Sequence, residues 1–188
     1  MLRNSPSSYG WIAISLHWLS AIVVLSMFAI GLWMVDLDYY SEWYKTAPYY
    51  HKSVGILLAL VTLFRVFWKR KQIAPQTLGK NWEKTGAKTA HFTLYILLIC
   101  MFISGYLIST ADGRGIEVFT WFTLPSLGEF IDNQEDFAGD VHEWLAYSLI
   151  SLVVLHALAA LKHHWVDKDS SLMRMLKPLI HQQNKENL

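Results

Sequence analysis

Four long apolar runs, separated by polar stretches, set the pattern of this chain. They predict helices at about 11–35, 49–68, 87–110 and 140–165. A helix needs about 20 predominantly apolar residues to cross a bilayer, and all four runs reach that with modest tilt or flanking aromatics. In lipid every backbone polar group must be satisfied within the segment, which makes helices the expected form. Trp11, Trp33, Trp43, Trp68, Trp144 and Trp165 stand near the run ends, where an aromatic belt would put them. The expected architecture is an all-α, transmembrane four-helix bundle, with residues 1–188 as a single membrane-embedded domain. There is no internal repeat and no low-complexity segment.

Composition agrees: the chain is 53% hydrophobic and 16% charged, with a net charge of +1. The distribution of charge says more than the sum. The 69–90 connection carries Lys69, Arg70, Lys71, Lys80, Lys84 and Lys88 against Glu83 alone, and the tail adds Lys162, Lys168, Arg174, Lys177 and Lys185. The other connections are acidic. Asp36, Asp38 and Glu42 oppose Lys45, and in 111–140 Asp112, Glu117, Glu129, Asp132, Glu135, Asp136 and Asp140 oppose Arg114. Lys/Arg-rich connections stay in the cytoplasm. Both termini and the 69–90 loop are therefore expected there, with 36–50 and 111–140 facing outward. The 111–140 stretch is too long for a plain connector, and its Phe119, Trp121, Phe122 and Leu127 could cap the outer mouth. No cleavable signal pattern opens the chain. The single Cys100 lies in an apolar run and is expected to pack as a small hydrophobe. The lipid bilayer is an expected partner and nucleic acid is not.

The chemistry lies in the histidines. Seven of the eight lie in or beside apolar segments, where an ionisable group is costly and normally faces the bundle interior or a partner. His142 and His156 are 14 residues apart, which on a helix is about four turns and about 21 Å of rise. Both then project from one face, one toward each membrane surface. Depth pairs them with two others. His51, like His142, sits in the first turn on the outer side. His17, like His156, lies a turn or two inside the cytoplasmic end of its run. Haem iron in an electron carrier takes two axial ligands with no open position, and imidazoles on facing helices provide them. One cysteine cannot make a Cys-x-x-Cys-His attachment, so covalent c-type haem is excluded.

Other residues have less definite roles. His91 is also on the cytoplasmic side and could replace His17, contact a haem propionate or cap its helix. Lys52, Arg65 and Arg114 could pair with propionates, or simply snorkel in the case of Lys52 and Arg65. His163 and His164 are either a headgroup-facing pair or a quinone or proton site.

With His17-Trp18, His51-Lys52-Ser53-x-Gly55-Ile56-Leu57, His142-Glu143, His156 and the closing Lys162-His163-His164-Trp165-Val166-Asp167-Lys168-Asp169 in view, the chain resembles the bacterial cytochrome b-561 family over nearly all its length. The resemblance implies a four-helix protein of the bacterial inner membrane with two non-covalent b haems. It maps the axial ligands onto His17, His51, His142 and His156. It also implies electron transfer with ubiquinone and, in some members, oxidation of superoxide at the outer side.

The leading expectation is a haem relay between the quinone pool and an unidentified periplasmic electron donor or acceptor. The competing readings are a superoxide:ubiquinone oxidoreductase, a membrane anchor subunit of a dehydrogenase complex, and a histidine-lined metal or proton transporter without haem.

Overall fold

The computed structural model describes residues 1–178, so Lys185 of the basic tail lies outside the described residues. Four long helices dominate: α1 (Trp11–Val35), α2 (Thr46–Arg70), α3 (Asn81–Thr110) and α4 (Gln134–Trp165). A short hairpin, β1 (Ile116–Val118) and β2 (Phe122–Leu124), interrupts the α3–α4 connection, and one turn of helix, α5 (Ser171–Arg174), follows α4. Each long helix is apolar enough to cross a membrane, with mean hydropathies of 2.2, 1.4, 2.1 and 2.0 over the best window. The protein is a multi-pass membrane helical bundle, and α2 is its least apolar span.

Three helices begin earlier than the apolar runs suggest, because their first turns lie outside the apolar part. α2 starts at Thr46, and Pro48 falls in its first turn, where a missing N–H costs nothing. α3 starts at Asn81, where Glu83 Oε2 accepts the Lys80 N–H at 2.7 Å. α4 starts at Gln134, with Glu135 and Asp136 favourably placed at the positive end of the helix dipole. Gln134 is itself buried: its Oε1 accepts from Phe130 N at 2.8 Å and its Nε2 donates to the Leu107 carbonyl at 3.0 Å, tying the hairpin loop to the top of α3.

The helices form two antiparallel pairs, α1 with α2 and α3 with α4, and the pairs meet more loosely than the helices within them. The diagonals are open: no Cα of α2 comes within 8 Å of one in α4, nor any of α1 within 8 Å of one in α3. The buried residues are mostly small or hydroxylated, among them Ser20, Ser53, Thr62, Ser104, Thr110 and Ala138. Large apolar side chains such as Ile22, Leu63, Phe92, Ile103 and Leu155 are exposed. That inverted pattern is what a bundle solvated by lipid requires. Two of the buried hydroxyls return to their own helices, Ser20 Oγ to the Leu16 carbonyl (2.7 Å) and Thr110 Oγ1 to that of Tyr106 (2.8 Å).

The two ends differ. At the terminal end the first residues are sewn to the α2–α3 connection. Asn4 N donates to Gln72 Oε1 (3.1 Å), and Gln76 N donates to the Pro6 carbonyl (2.9 Å). Arg174 Nη1 reaches the Gln76 carbonyl at 2.9 Å. At the opposite end β1 and β2 pair antiparallel, Ile116 with Leu124 and Val118 with Phe122. This hairpin is absent from the expected layout, and the residues that plug the mouth are Ile116 and Val118, at 3% and 0% exposure. Trp121, Phe122 and Leu127, expected as caps, are exposed instead. Phe119 packs edge-on against Tyr49, 6.3 Å between ring centres.

Candidate functional site

The open α2–α4 diagonal is crossed at the hairpin end by two imidazoles. His51, in the second turn of α2, and His142, in the third turn of α4, have ring centres 6.5 Å apart. His142 is oriented by α3: its Nδ1 lies 2.9 Å from Ser104 Oγ. His51 has no such partner, and its Nδ1 is buried without a hydrogen bond. An apolar cavity of about 200 Å³ opens on the His51 side, lined by Val23, Met27, Ile30, Tyr50 and Val54 among others. Above it Ser53 fastens the hairpin, donating to the Glu117 carbonyl (3.2 Å) and accepting from Phe119 N (3.1 Å).

Four turns along α4 a second group forms near the terminal end. His156 and His17 of α1 have ring centres 6.3 Å apart. His91 of α3 comes closer to His156, at 5.2 Å. Arg65 of α2 donates to Nδ1 of His17 at 2.9 Å and lies over the ring of Tyr95.

Ring spacing tests whether these sets suit a haem. With metal–nitrogen bonds of about 2 Å and ring centres roughly 1 Å behind each nitrogen, two imidazoles on one iron stand about 6 Å apart centre to centre. The His51–His142 and His17–His156 spacings fit, and the helix backbones leave the α2–α4 diagonal clear. The His91–His156 spacing is that of rings in direct contact. Neutral imidazole in an apolar bundle is also the right donor for iron in a b-type site.

The remaining candidates separate. Arg65 is at the terminal group. Lys52 is exposed and close enough to lower the Asp112 carboxyl, although Arg114 is the main cause of that shift. Arg114 itself is committed to Asp112, with contacts at 2.5 and 2.7 Å, so its charge is compensated on the surface. His163 faces Asp167 at 2.7 Å and Asp169 at 3.4 Å. His164 Nδ1 is buried without a partner. Glu83, His163 and Asp167 offer ligand atoms within 4.8 Å of one another. Lys162 Nζ already sits 2.6 Å from Glu83 and 2.7 Å from Asp167. It holds the Asp167 carboxyl below the usual carboxylate range and already bridges both carboxylates of the group.

Sequence reasoning gave no role to Ser104 and Gly105, which act across helices, or to Ser53, which acts on the hairpin. A Cβ at Gly105 would stand 3.2 Å from His142 Cε1, and one at Gly31 would stand 3.5 Å from His51 Cε1. Each outer imidazole thus lies against a glycine of the paired helix.

Comparison with known proteins places the chain. A family model described as prokaryotic cytochrome b561 matches residues 8–178. The chain is 50% identical over 175 residues to "Cytochrome b561 homolog 2" of Escherichia coli (strain K12), covering 92% of this chain and 93% of that one. It is 28% identical over 171 residues to "Probable superoxide oxidase CybB" of Yersinia pestis, covering 89% and 95%. It is 24% identical over 169 residues to "Cytochrome b561 homolog 1" of Escherichia coli (strain K12), covering 87% and 93%.

Proposed function

The chain belongs to the prokaryotic cytochrome b561 family, a family of haem b proteins, and on that premise we propose that it is a two-haem electron carrier of the bacterial inner membrane. It passes electrons between a redox partner on the periplasmic side and the ubiquinone pool. The observation that carries this reading is a repetition: two imidazole pairs, at 6.5 and 6.3 Å, one toward each end of α4. His51 and His142 hold one haem b, and His17 and His156 hold the other. A haem held by two imidazoles would supply one-electron transfer.

The other candidate residues take supporting roles. Arg65 and Lys52 are cations for the haem carboxylates, one at each end. His163 and His164, next to the Lys162 ion cluster, are the groups for proton exchange with a quinone at the terminal end, and the unpartnered Nδ1 of His164 supports this. The basic 69–90 connection supports an orientation with the terminal end in the cytoplasm and the hairpin end in the periplasm. A reporter fused after Leu188 is then active only in the cytoplasm, and a periplasmic signal overturns the orientation.

A second reading draws on the relative named as a probable superoxide oxidase. Two superoxide anions would each give up one electron at the periplasmic end, and a quinone would take two electrons and two protons. Lys45 and Lys52 are the cations left to attract such an anion once Arg114 is matched by Asp112. Turnover of the purified protein with superoxide and a quinone tests it directly.

Pyridine haemochrome against protein concentration tests the first reading. Two haems per chain are expected, falling to one in His142→Ala. One haem in the unsubstituted protein overturns it.

A further inference from the structure

We infer that Ser104 is a positioning residue for the axial ligand His142, fixing the ring proton on Nδ1 so that Nε2 is bare for iron, and that Gly105 keeps that ring in place. The inference rests on the two-haem reading.

Ser104 is 4% exposed, and its Oγ lies 3.1 Å from the Met101 carbonyl and 2.9 Å from His142 Nδ1. A serine hydroxyl has one proton, and a carbonyl can only accept. With that proton donated to the Met101 carbonyl, Oγ accepts from Nδ1–H of His142, and the same carbonyl also accepts from the ring, so both groups favour the proton on Nδ1. A neutral imidazole carries one ring proton, so Nε2 is left with its lone pair free. A ligand imidazole that donates from its other nitrogen is also a stronger donor to the metal.

Gly105 supplies the space. Its Cβ would press on the imidazole at 3.2 Å from Cε1, tighter than ordinary contact, and would stand 3.6 Å from Nδ1. The neighbouring helical pair repeats half of the device. Gly31 lies against His51 as Gly105 does against His142, but a Cβ there would stand at an ordinary 3.5 Å. The residue before Gly31 is Ile30, with no hydroxyl to offer, and His51 Nδ1 is left without a partner. The two axial ligands of the outer haem are therefore unequal: His142 is fixed and strengthened, and His51 is not.

The test is a redox titration of purified protein followed in the visible band, with haem-to-protein ratio. The potential missing from His142→Ala identifies the outer haem. In Ser104→Ala the outer haem's midpoint potential rises, because a stronger imidazole donor favours the oxidised iron and that donor is weakened, while the inner potential stays. Ser104→Thr, which keeps the hydroxyl, restores the wild-type potential. Gly105→Ala lowers outer-haem occupancy, and Gly31→Ala leaves it at the wild-type ratio. An outer potential unmoved in Ser104→Ala, or both potentials moving together, overturns the Ser104 assignment and leaves the two-haem reading standing. A single haem in the unsubstituted protein overturns both.

Discussion

Arg65 donates from Nη2 to Nδ1 of His17 across 2.9 Å. A guanidinium has no lone pair to offer, so the His17 ring proton is then on Nε2. That is the opposite arrangement to His142, whose Nδ1 is the donor. A His17 ligating through Nε2 has to give up this bond, which frees Arg65 for an anionic partner such as a haem carboxylate. Arg65→Ala should therefore lower the midpoint potential of the inner haem, since a nearby cation favours the reduced state. A unit charge roughly 8–16 Å from the iron is worth about 1–2 kcal/mol at an effective dielectric of about 20. Redox titration checks the sign. An unchanged or raised inner potential would remove Arg65 from the site.

His91 and His17 compete for the same partner, His156, at 5.2 and 6.3 Å. The longer spacing suits an iron between the rings, and the shorter one suits direct contact. His17→Ala should cut the haem content from two per chain to one, while His91→Ala keeps two. The reverse result would exchange their roles. The haem proposed for His51 and His142 should survive both substitutions and serve as a check on folding.

Much of this could be read from residue order. α1 follows its apolar run over 11–35, and the 14-residue step from His142 to His156 carries the pairing, because helical periodicity alone puts both on one face. What was hidden has physical causes. The first turns of α3 and α4 are polar and that of α2 carries Pro48, so hydrophobicity misses all three. The strands of the hairpin are three residues long, too short for alternation to register. Ser104 meets His142 across 38 positions, and no local pattern announces such a contact. Ser104-Gly105 reads in sequence only as a small-residue step in a membrane helix.

Ser53 is fully buried and joins α2 to both strands' turn through two hydrogen bonds, to the Glu117 carbonyl and from Phe119 N. Phe119 holds a left-handed backbone (φ 49°) that a non-glycine residue adopts at a cost. Ser53→Ala leaves two backbone groups without their partner, and a buried orphan group costs about 1–3 kcal/mol. Hydrogen exchange across residues 116–124 should accelerate in detergent-solubilised protein, with the helices unaffected. Unchanged protection would mean that Ile116 and Val118 hold the hairpin by packing alone.

His156→Ala decides which side of the membrane quinone is reached from. It removes a proposed ligand of the inner haem and leaves His51 and His142 intact. Their separation from the inner pair follows from α4 itself, at about 21 Å along the axis for 14 residues. If electrons from a periplasmic donor reach quinone near His163 and His164, the inner haem lies on their path. The variant should then hold one haem that an external donor still reduces, while quinone reduction stops. His163 and His164 lie seven and eight residues beyond His156, about two helical turns further toward the terminal end, so the loss would trace to the missing relay and not to a damaged quinone site. Stopped-flow reduction of the haem band, set beside steady-state quinone turnover, separates the two steps. Wild-type turnover in this variant would take the inner haem off the path and move the quinone site to the hairpin end.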